Sequence, residues 1–262
     1  MTSDYRERDA GHRWRHRYVE YRMNDESMIC ASNNVDWYEA IFRSHGLTAT
    51  MTDGMWISRD TPLPYYSNAV TLAPHGHAAQ VDQLRELKSV LRTRWSVKDS
   101  FAALDLSPLG FRPLFDAEWI WCDASDAPAP GPDGIAWRPV TTTRQLEGWE
   151  GAWRTNGSPT ETAVFVPNLL TNPAIALFEG YRGDAVVAGC AGNRSAGAVG
   201  FSNFFLDDSE EPFAVAGAIA EVARFGAGLP IVGYLAGDAL ARVTTLGFRS
   251  VGPLRIWMIG TD

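Results

Sequence analysis

Hydrophobic and polar positions change period repeatedly along this chain, and the clearest succession lies in its second half. Residues 135–140 predict a strand. The threonines at 141–143 offer an N-cap to a helix whose apolar positions include Leu146, Trp149 and Trp153 on one face. A second short helix is expected over 159–170, interrupted near Pro167. Residues 174–181 and 185–191 read as a hairpin about Arg182-Gly183-Asp184, where Gly-Asp supplies the turn. A strand over 199–206, a largely apolar helix over 212–225 and a buried strand over 229–235 follow. A helix over 238–246 has Asp238 in its first turn and Gly247 as its stop, and a strand over 248–259 closes the sheet. The order βααβββαβαβ is an α/β arrangement around one mixed sheet.

Parts of this pattern occur twice. Leu109-Gly110-Phe111-Arg112, leading into Glu118-Trp119-Ile120-Trp121, recurs as Leu246-Gly247-Phe248-Arg249, leading into Arg255-Ile256-Trp257-Met258. Ser67-Asn68 and Ser202-Asn203 both sit in β-rich runs, and the helix end at Ala40 to Gly46 resembles Gly151 to Gly157. The matches keep their order, which points to a duplicated unit. Between the copies, residues 123–134 hold three prolines and two glycines, the composition of a linker. We therefore read residues 1–30 as an N-terminal extension, 31–122 as a shortened copy whose second and third strands are mostly lost, and 135–262 as the complete copy.

Composition narrows the function. The chain has 262 residues, 45% of them hydrophobic, and a net charge of −8. A clustered basic surface for nucleic acid is not expected from such a balance. The arginine-rich stretch from Arg6 to Arg22 is interleaved with acids and reads as a solvated extension. Apolar runs are too short to cross a bilayer, and no apolar segment follows the first charges as in a secretory signal. Cys30, Cys122 and Cys190 are scattered and odd in number, so a cytoplasmic, disulfide-free protein is expected. Lys88 and Lys98 are the only lysines.

The segments from Val199-Gly200-Phe201-Ser202-Asn203-Phe204-Phe205-Leu206-Asp207 through Leu229-Pro230-Ile231-Val232-Gly233-Tyr234 to Ala239 and Gly247-Phe248 resemble the GNAT acetyltransferase family. The first copy resembles a reduced version of the same unit, so the resemblance implies a tandem GNAT-like α/β fold. It implies an acetyl-CoA (or other acyl-CoA) co-substrate held where the fourth and fifth strands part, with no metal. Asn203, Phe204, Phe205, Leu206, Phe213 and Asp238 are its cofactor-binding candidates, and Tyr234, Glu179 and Asp207 its catalytic ones. Tyr234 would be the proton donor, because the family's tyrosine position is Val243 here and Leu106 in the first copy. The carboxylates would be bases.

The sequence departs from the family at the pyrophosphate loop. Asp208-Ser209-Glu210-Glu211-Pro212-Phe213 has no glycine, loses one N–H at Pro212 and brings three carboxylates to a place meant for phosphate. The first copy's Ala73-Pro74-His75-Gly76-His77-Ala78 keeps the small residues of such a loop without its leading Gln or Arg. Two functions of different class therefore stand open: transfer of an acyl group to a small amine or amino-acid-like acceptor, and a non-catalytic tandem module that binds a ligand or protein. Other chemistries lack their signatures. No nucleophile elbow, dinucleotide fingerprint, P-loop or metal-ligand spacing occurs. Of the ten tryptophans, Trp149 and Trp153 are expected in the core, and Trp119, Trp121 and Trp257 in the core or on the surface between the copies. Trp37, Trp56 and Trp95 are candidates to line a pocket between the copies.

Overall fold

A computed structural model describes residues 26–131, 134–207 and 214–260. The first half runs α1 (Glu26–Ser44), β1 (Thr50–Thr52), β2 (Met55–Ile57), β3 (Ala69–Thr71), α2 (His77–Val90), β4 (Trp95–Asp99) and β5 (Arg112–Cys122). The second runs β6 (Ala136–Pro139), α3 (Thr143–Thr155), β7 (Ile175–Arg182), β8 (Ala185–Ser195), β9 (Ala198–Leu206), α4 (Ala214–Gly226), β10 (Ile231–Leu235), α5 (Gly237–Thr244) and β11 (Arg249–Ile259). No described helix is long and apolar enough to cross a membrane. Cys30, Cys122 and Cys190 are buried, and none is in a disulfide.

Among the described residues eleven strands form one mixed sheet, in the order β1-β2-β3-β4-β11-β5-β10-β9-β8-β7-β6. The last strand of the chain lies inside the first half, between β4 and β5, and β5 in turn pairs with β10 of the second half. About the β11/β5 pair the pairing types read alike in both directions for four strands, and β6 extends the second side by one. A parallel pair, β3 with β4 or β9 with β10, stands on either side of three antiparallel pairings.

Side chains alternate across the sheet and divide the core between its two faces. Trp119 and Trp121 point to the face covered by α1 and α3, where they join Val232, Leu254 and Ile256. On the other face Ile120 joins Ile219 and Val222 of α4, while Val97 and Trp257 pack with Leu84 and Leu87 of α2. Helix α1 belongs to the first half but packs mainly on β8, β9, β5 and β10. Its seat is polar. Asn33 Nδ2 donates to the carbonyl of Asn193 at 3.2 Å and to that of Ser195 at 3.1 Å, and Asn193 Nδ2 donates back to the Asn33 carbonyl at 2.9 Å. Gly200 leaves room for this exchange: a Cβ there would lie 2.1 Å from Asn193 Oδ1 and 2.4 Å from Asn33 Oδ1.

Helix α3 begins as expected, with Thr142 capping through a complete capping box with Gln145. The helix expected over 159–170 does not form, and only a 3-10 turn (Pro167–Thr171) is present there. The buried Glu150 explains the difference. Its Oε1 accepts the backbone N–H of Val164 at 2.6 Å and of Phe165 at 3.4 Å. These donors are thereby satisfied outside a helix, and Phe165 is left against Trp149 and Trp153. In the first half, a hairpin of three-residue strands turns at Asp53-Gly54. Residues 26–30, read as part of an extension, begin α1, with Ser27 and Cys30 buried.

Gly200→Ala should lower stability by about 1–3 kcal/mol, because the added methyl must displace the Asn33–Asn193 pair. A reduced denaturation midpoint with an unchanged denaturant slope is the expected result.

Candidate active site

The site begins where two strands separate. β9 and β10 run parallel and pair only at Ile231 with Val199 and Val232 with Gly200. Beyond that they diverge, while their outer edges stay paired with β8 and β5. The facing edges beyond Gly200 and Val232 therefore offer backbone N–H and C=O groups that no strand has taken. Gly233 stands at the fork, where a Cβ would lie 2.7 Å from the Phe201 carbonyl oxygen. Two residues later β9 is bent. Asn203 has φ 51°, and the register with β8 shifts between the Gly189–Phe205 and Ala191–Ser202 pairs. A non-glycine residue in the left-handed region carries local strain, and here it re-aims the strand at the fork.

The fork opens into a cavity of about 460 Å³. Its floor is Ser202, Asn203 and Phe204 of β9 with Gly233, Tyr234 and Leu235 of β10. Its walls are Asn34, Trp37 and Tyr38 of α1, Tyr66, Trp119 and Trp153, and Arg242 and Val243 of α5 close one side. At the mouth Tyr65 donates its hydroxyl to the Pro159 carbonyl at 2.6 Å, which ties a loop of each half together. Both halves thus build one cavity.

Three phenols gather in it. Trp37 Nε1 donates to the Tyr66 hydroxyl at 3.1 Å, Tyr66 also bonds Asn203, and Tyr38 bonds Ser67. Burial raises the pKa of Tyr38, Tyr66 and Tyr234 above the ordinary tyrosine value, and the neighbouring phenols raise Tyr38 and Tyr66 further. Behind the wall is Lys98 of β4, with no exposed surface. Its Nζ donates to Asn34 Oδ1 at 2.7 Å and lies 4.0 Å from the ring centroid of Tyr234, 4.7 Å from that of Tyr38 and 5.8 Å from that of Trp119. Burial pulls Lys98 well below the usual lysine range. The ring faces attract a cation but do not replace lost water, so desolvation outweighs that attraction and disfavours the charged form.

The corresponding fork in the first half is closed by its own residues. β3 and β4 also pair at only two positions, Ala69 with Val97 and Val70 with Lys98. Beyond these, Thr71 Oγ1 accepts the Ser100 N–H at 2.8 Å, and Asp99 accepts the N–H of Leu104 at 2.8 Å. Trp119 Nε1 then donates to the Ser100 carbonyl at 2.7 Å. The strand edges that part in the second half are thus bridged here by a turn of the chain.

The residues expected from the sequence fall in different places. Tyr234, Asn203 and Phe204 line the cavity. Phe205 is buried against Trp149 on the α3 side, and Leu206 lies farther along β9, away from the cavity lining. Glu179 is fully buried away from the cavity, accepting from Arg138 Nε and Gln145 Nε2 at 2.9 Å each, so it ties β6 and α3 to β7. Asp207 follows β9, its N–H bonded to the Val187 carbonyl at 2.8 Å, and it does not line the cavity. Asp238 is in the exposed first turn of α5. Phe213 and the acidic loop 208–213 lie outside the described residues, so the expected pyrophosphate contact has no description here. Trp37 lines the cavity, whereas Trp56 and Trp95 are buried in the two core clusters. Lys98, Asn34, Tyr38 and Tyr66 were not expected. The signal for Lys98 was the strand Trp95–Asp99, buried at every position although it alternates polar and apolar residues.

Comparison with solved structures shows the fold to be that of the GCN5-related N-acetyltransferases. The chain is similar to a GCN5-related N-acetyltransferase from Kribbella flavida, with a TM-score of 0.68 at 13% identity over 92% of this chain and 98% of that one. It is similar to a conserved protein of unknown function from Staphylococcus epidermidis, with a TM-score of 0.64 at 12% identity over 82% of this chain and 95% of that one. A GCN5-related N-acetyltransferase from Sphaerobacter thermophilus aligns with a TM-score of 0.55 at 12% identity, over 80% and 78% of the two chains. No protein-family model matches the chain, and no curated protein matches it in sequence.

The buried groups predict a particular pH dependence of stability. Raised tyrosines stabilise the fold below the unfolded tyrosine value near 10, and that stability is lost as pH rises further, by up to about 1.4 kcal/mol per pH unit for each group. Lys98 acts in the opposite direction: its contribution is full above the unfolded lysine value near 10.4 and is lost as pH falls through its lowered folded value. Buried Cys122 and Cys190, their thiols also pushed up by burial, add a loss above the unfolded cysteine value of about 8.5. The midpoint of the wild type relative to that of Lys98→Met should therefore rise from pH 7 towards pH 10, while both proteins lose stability towards pH 11.

Proposed function

We propose that this protein is an acyltransferase that takes its acyl group from acetyl-CoA or another acyl-CoA and passes it to a small amine or amino-acid-like acceptor in the aromatic cavity. The observation that carries the reading is the β9/β10 fork. It is an unpaired strand edge opening directly onto a largely apolar cavity. The amide-bearing arm of CoA suits such an edge, since it can hydrogen-bond as an added strand would. The residues present fit that group: Gly233 keeps side-chain bulk out of the fork, and Asn203 bends β9 there. In the proposed complex, Ser202 to Phe204 and Gly233 to Leu235 hold the arm, and the cofactor supplies an activated thioester.

The chain's own residues have three tasks. The cavity wall excludes water and orients the acceptor between aromatic rings. Asn203 and the β9 bend position backbone groups at the fork. Tyr234 has no hydrogen-bond partner among the described residues, and burial keeps its proton in place near neutral pH, so it is the group we assign as proton donor. Val243, where the family's tyrosine would stand, lines the same cavity without a proton to give. Glu179 is committed to Arg138 and Gln145 and is left out of this assignment.

The same reading makes the two halves diverged copies of one unit, supported by the sequence repeat and by the symmetric strand order about β11/β5. The first copy's fork is closed by Thr71, Asp99 and residues 100–104, so we assign one acyl-CoA cleft per chain, in the second half.

Acetyl-CoA at a hundredfold excess over Kd should stabilise the protein by about 2.7 kcal/mol, a rise of several degrees in Tm. Gly233→Val should remove that rise. Tyr234→Phe should retain it while lowering kcat by about a hundredfold or more in an amine panel followed by thiol release. Stabilisation by acetyl-CoA with no transfer to any acceptor would support the non-catalytic binding module instead. The absence of any stabilisation at millimolar acetyl-CoA would contradict the proposal.

A further inference from the structure

The mouth of the cavity holds a residue whose backbone does not suit it. The Tyr66 N–H donates to the Leu63 carbonyl at 3.1 Å, closing a turn with Pro64 and Tyr65 at its centre. Tyr65 has φ 68° there. Proline followed by a left-handed residue is a type II turn, in which glycine fits without strain. Backbone strain of this kind clusters at ligand sites. The tyrosine is also 54% exposed, more than any other large hydrophobic side chain described. Its hydroxyl is tied to the Pro159 carbonyl, and its ring meets that of Trp153 at 82° with centroids 5.5 Å apart. Two rings at nearly a right angle make an aromatic corner at the entrance, where a flat ring can stack on one and meet the edge of the other.

The chamber inside keeps the same character. On the face covered by α1 and α3 it is walled by Trp37, Tyr38, Tyr66, Trp119, Trp153 and Tyr234. Among the described residues its lining contains no acid. The one charged side chain in that lining, Arg242, belongs to α5, which packs on the opposite face through Leu240 and Val243. A second ammonium on an acceptor would therefore be desolvated without a counter-charge, and a carboxylate would find no cation in the lining on the α1 face. A single ammonium is tolerated, because ring faces attract it.

We propose that the acceptor is an aromatic monoamine, a flat ring joined to one primary amine by a short chain, and that Tyr65 selects it by stacking at the mouth. This inference rests on the acyltransferase reading and narrows its acceptor. The net step converts amine and thioester to amide and thiol. The C–N bond forms, the C–S bond breaks and one proton passes from nitrogen to sulfur, with no further reactant.

Binding tests the proposal without turnover. Calorimetry on the full chain, with and without CoA, compares 2-phenylethylamine with phenylalanine, which adds a carboxylate, and with spermidine, which replaces the ring by further amines. 2-Phenylethylamine should bind about tenfold or more tighter than either. Tyr65→Phe keeps the ring and loses the tie to Pro159, and should leave that affinity within about twofold. Tyr65→Gly suits the turn and loses the ring, and should weaken 2-phenylethylamine about tenfold while acetyl-CoA still raises Tm as in the wild type. In turnover the Tyr65→Gly effect should fall on KM for the amine, with kcat nearly kept.

Phenylalanine or spermidine bound as tightly as 2-phenylethylamine, or equal affinity for it in the wild type and Tyr65→Gly, would overturn the proposal. Should Tyr65→Gly fail to fold, the wild-type ligand order and Tyr65→Phe decide: a loss of about tenfold in Tyr65→Phe would make the residue a tie between the halves and overturn its selecting role. Transfer to spermidine and not to 2-phenylethylamine would overturn this inference and leave the acyltransferase reading standing. The absence of any stabilisation by acetyl-CoA would remove that reading and this inference with it.

Discussion

The position of the final strand is the constraint on which the cavity depends. β11 pairs with β4 on one side and with β5 on the other, and β5 continues the ladder to β10. That run of antiparallel pairings fixes Lys98 on β4 relative to Tyr234 on β10, although the two are remote in sequence. It also buries Leu254, Ile256 and Trp257 in core clusters on both faces. If β11 were removed, the first half would lose its attachment to the second. The wall formed by Trp119, Tyr38 and Tyr234 would lose its backing. Since β11 is paired with strands of the first half, the cavity depends on long-range contacts that are slow to close.

A second constraint comes from α1. The Asn33–Asn193 exchange seats this first-half helix on β8 and β9, which carries Asn34, Trp37 and Tyr38 over the fork. Buried amides that satisfy one another fix a unique docking, because a slip would leave several polar groups unpaired. The same α1 turn supplies Asn34, the acceptor for Lys98 Nζ. Packing and site chemistry are therefore coupled through one helix.

Much of the second half was legible in sequence because its signals are local. The Thr142–Gln145 capping box, the Gly183 turn of the β7/β8 hairpin and the apolar run of β9 each specify an element within a few residues. The missing helix at 159–170 was not legible, because Glu150, a residue on a different element, captures the N–H groups of Val164 and Phe165. The site was legible only in part. Tyr234, Asn203 and Phe204 could be singled out from the strands that carry them, and the fork does bring them together. Lys98, Asn34, Tyr38 and Tyr66 come from the first half and reach the cavity through the β4–β11–β5–β10 ladder and through α1. Local periodicity carries no trace of either. Glu179 and Asp207 had suitable chemistry for bases, but their neighbours decide where they point, and those neighbours lie across the sheet.

The central claim is that the β9/β10 fork, and not the closed fork of β3 and β4, receives an acyl-CoA arm. Amide hydrogen exchange of the full chain with and without acetyl-CoA tests this most directly. The account predicts slowed exchange in segments 202–206 and 233–235, where unpaired strand edges gain partners, with exchange in 69–71 and 97–99 unchanged. Protection confined to the first-half strands, or none at either fork, would contradict it.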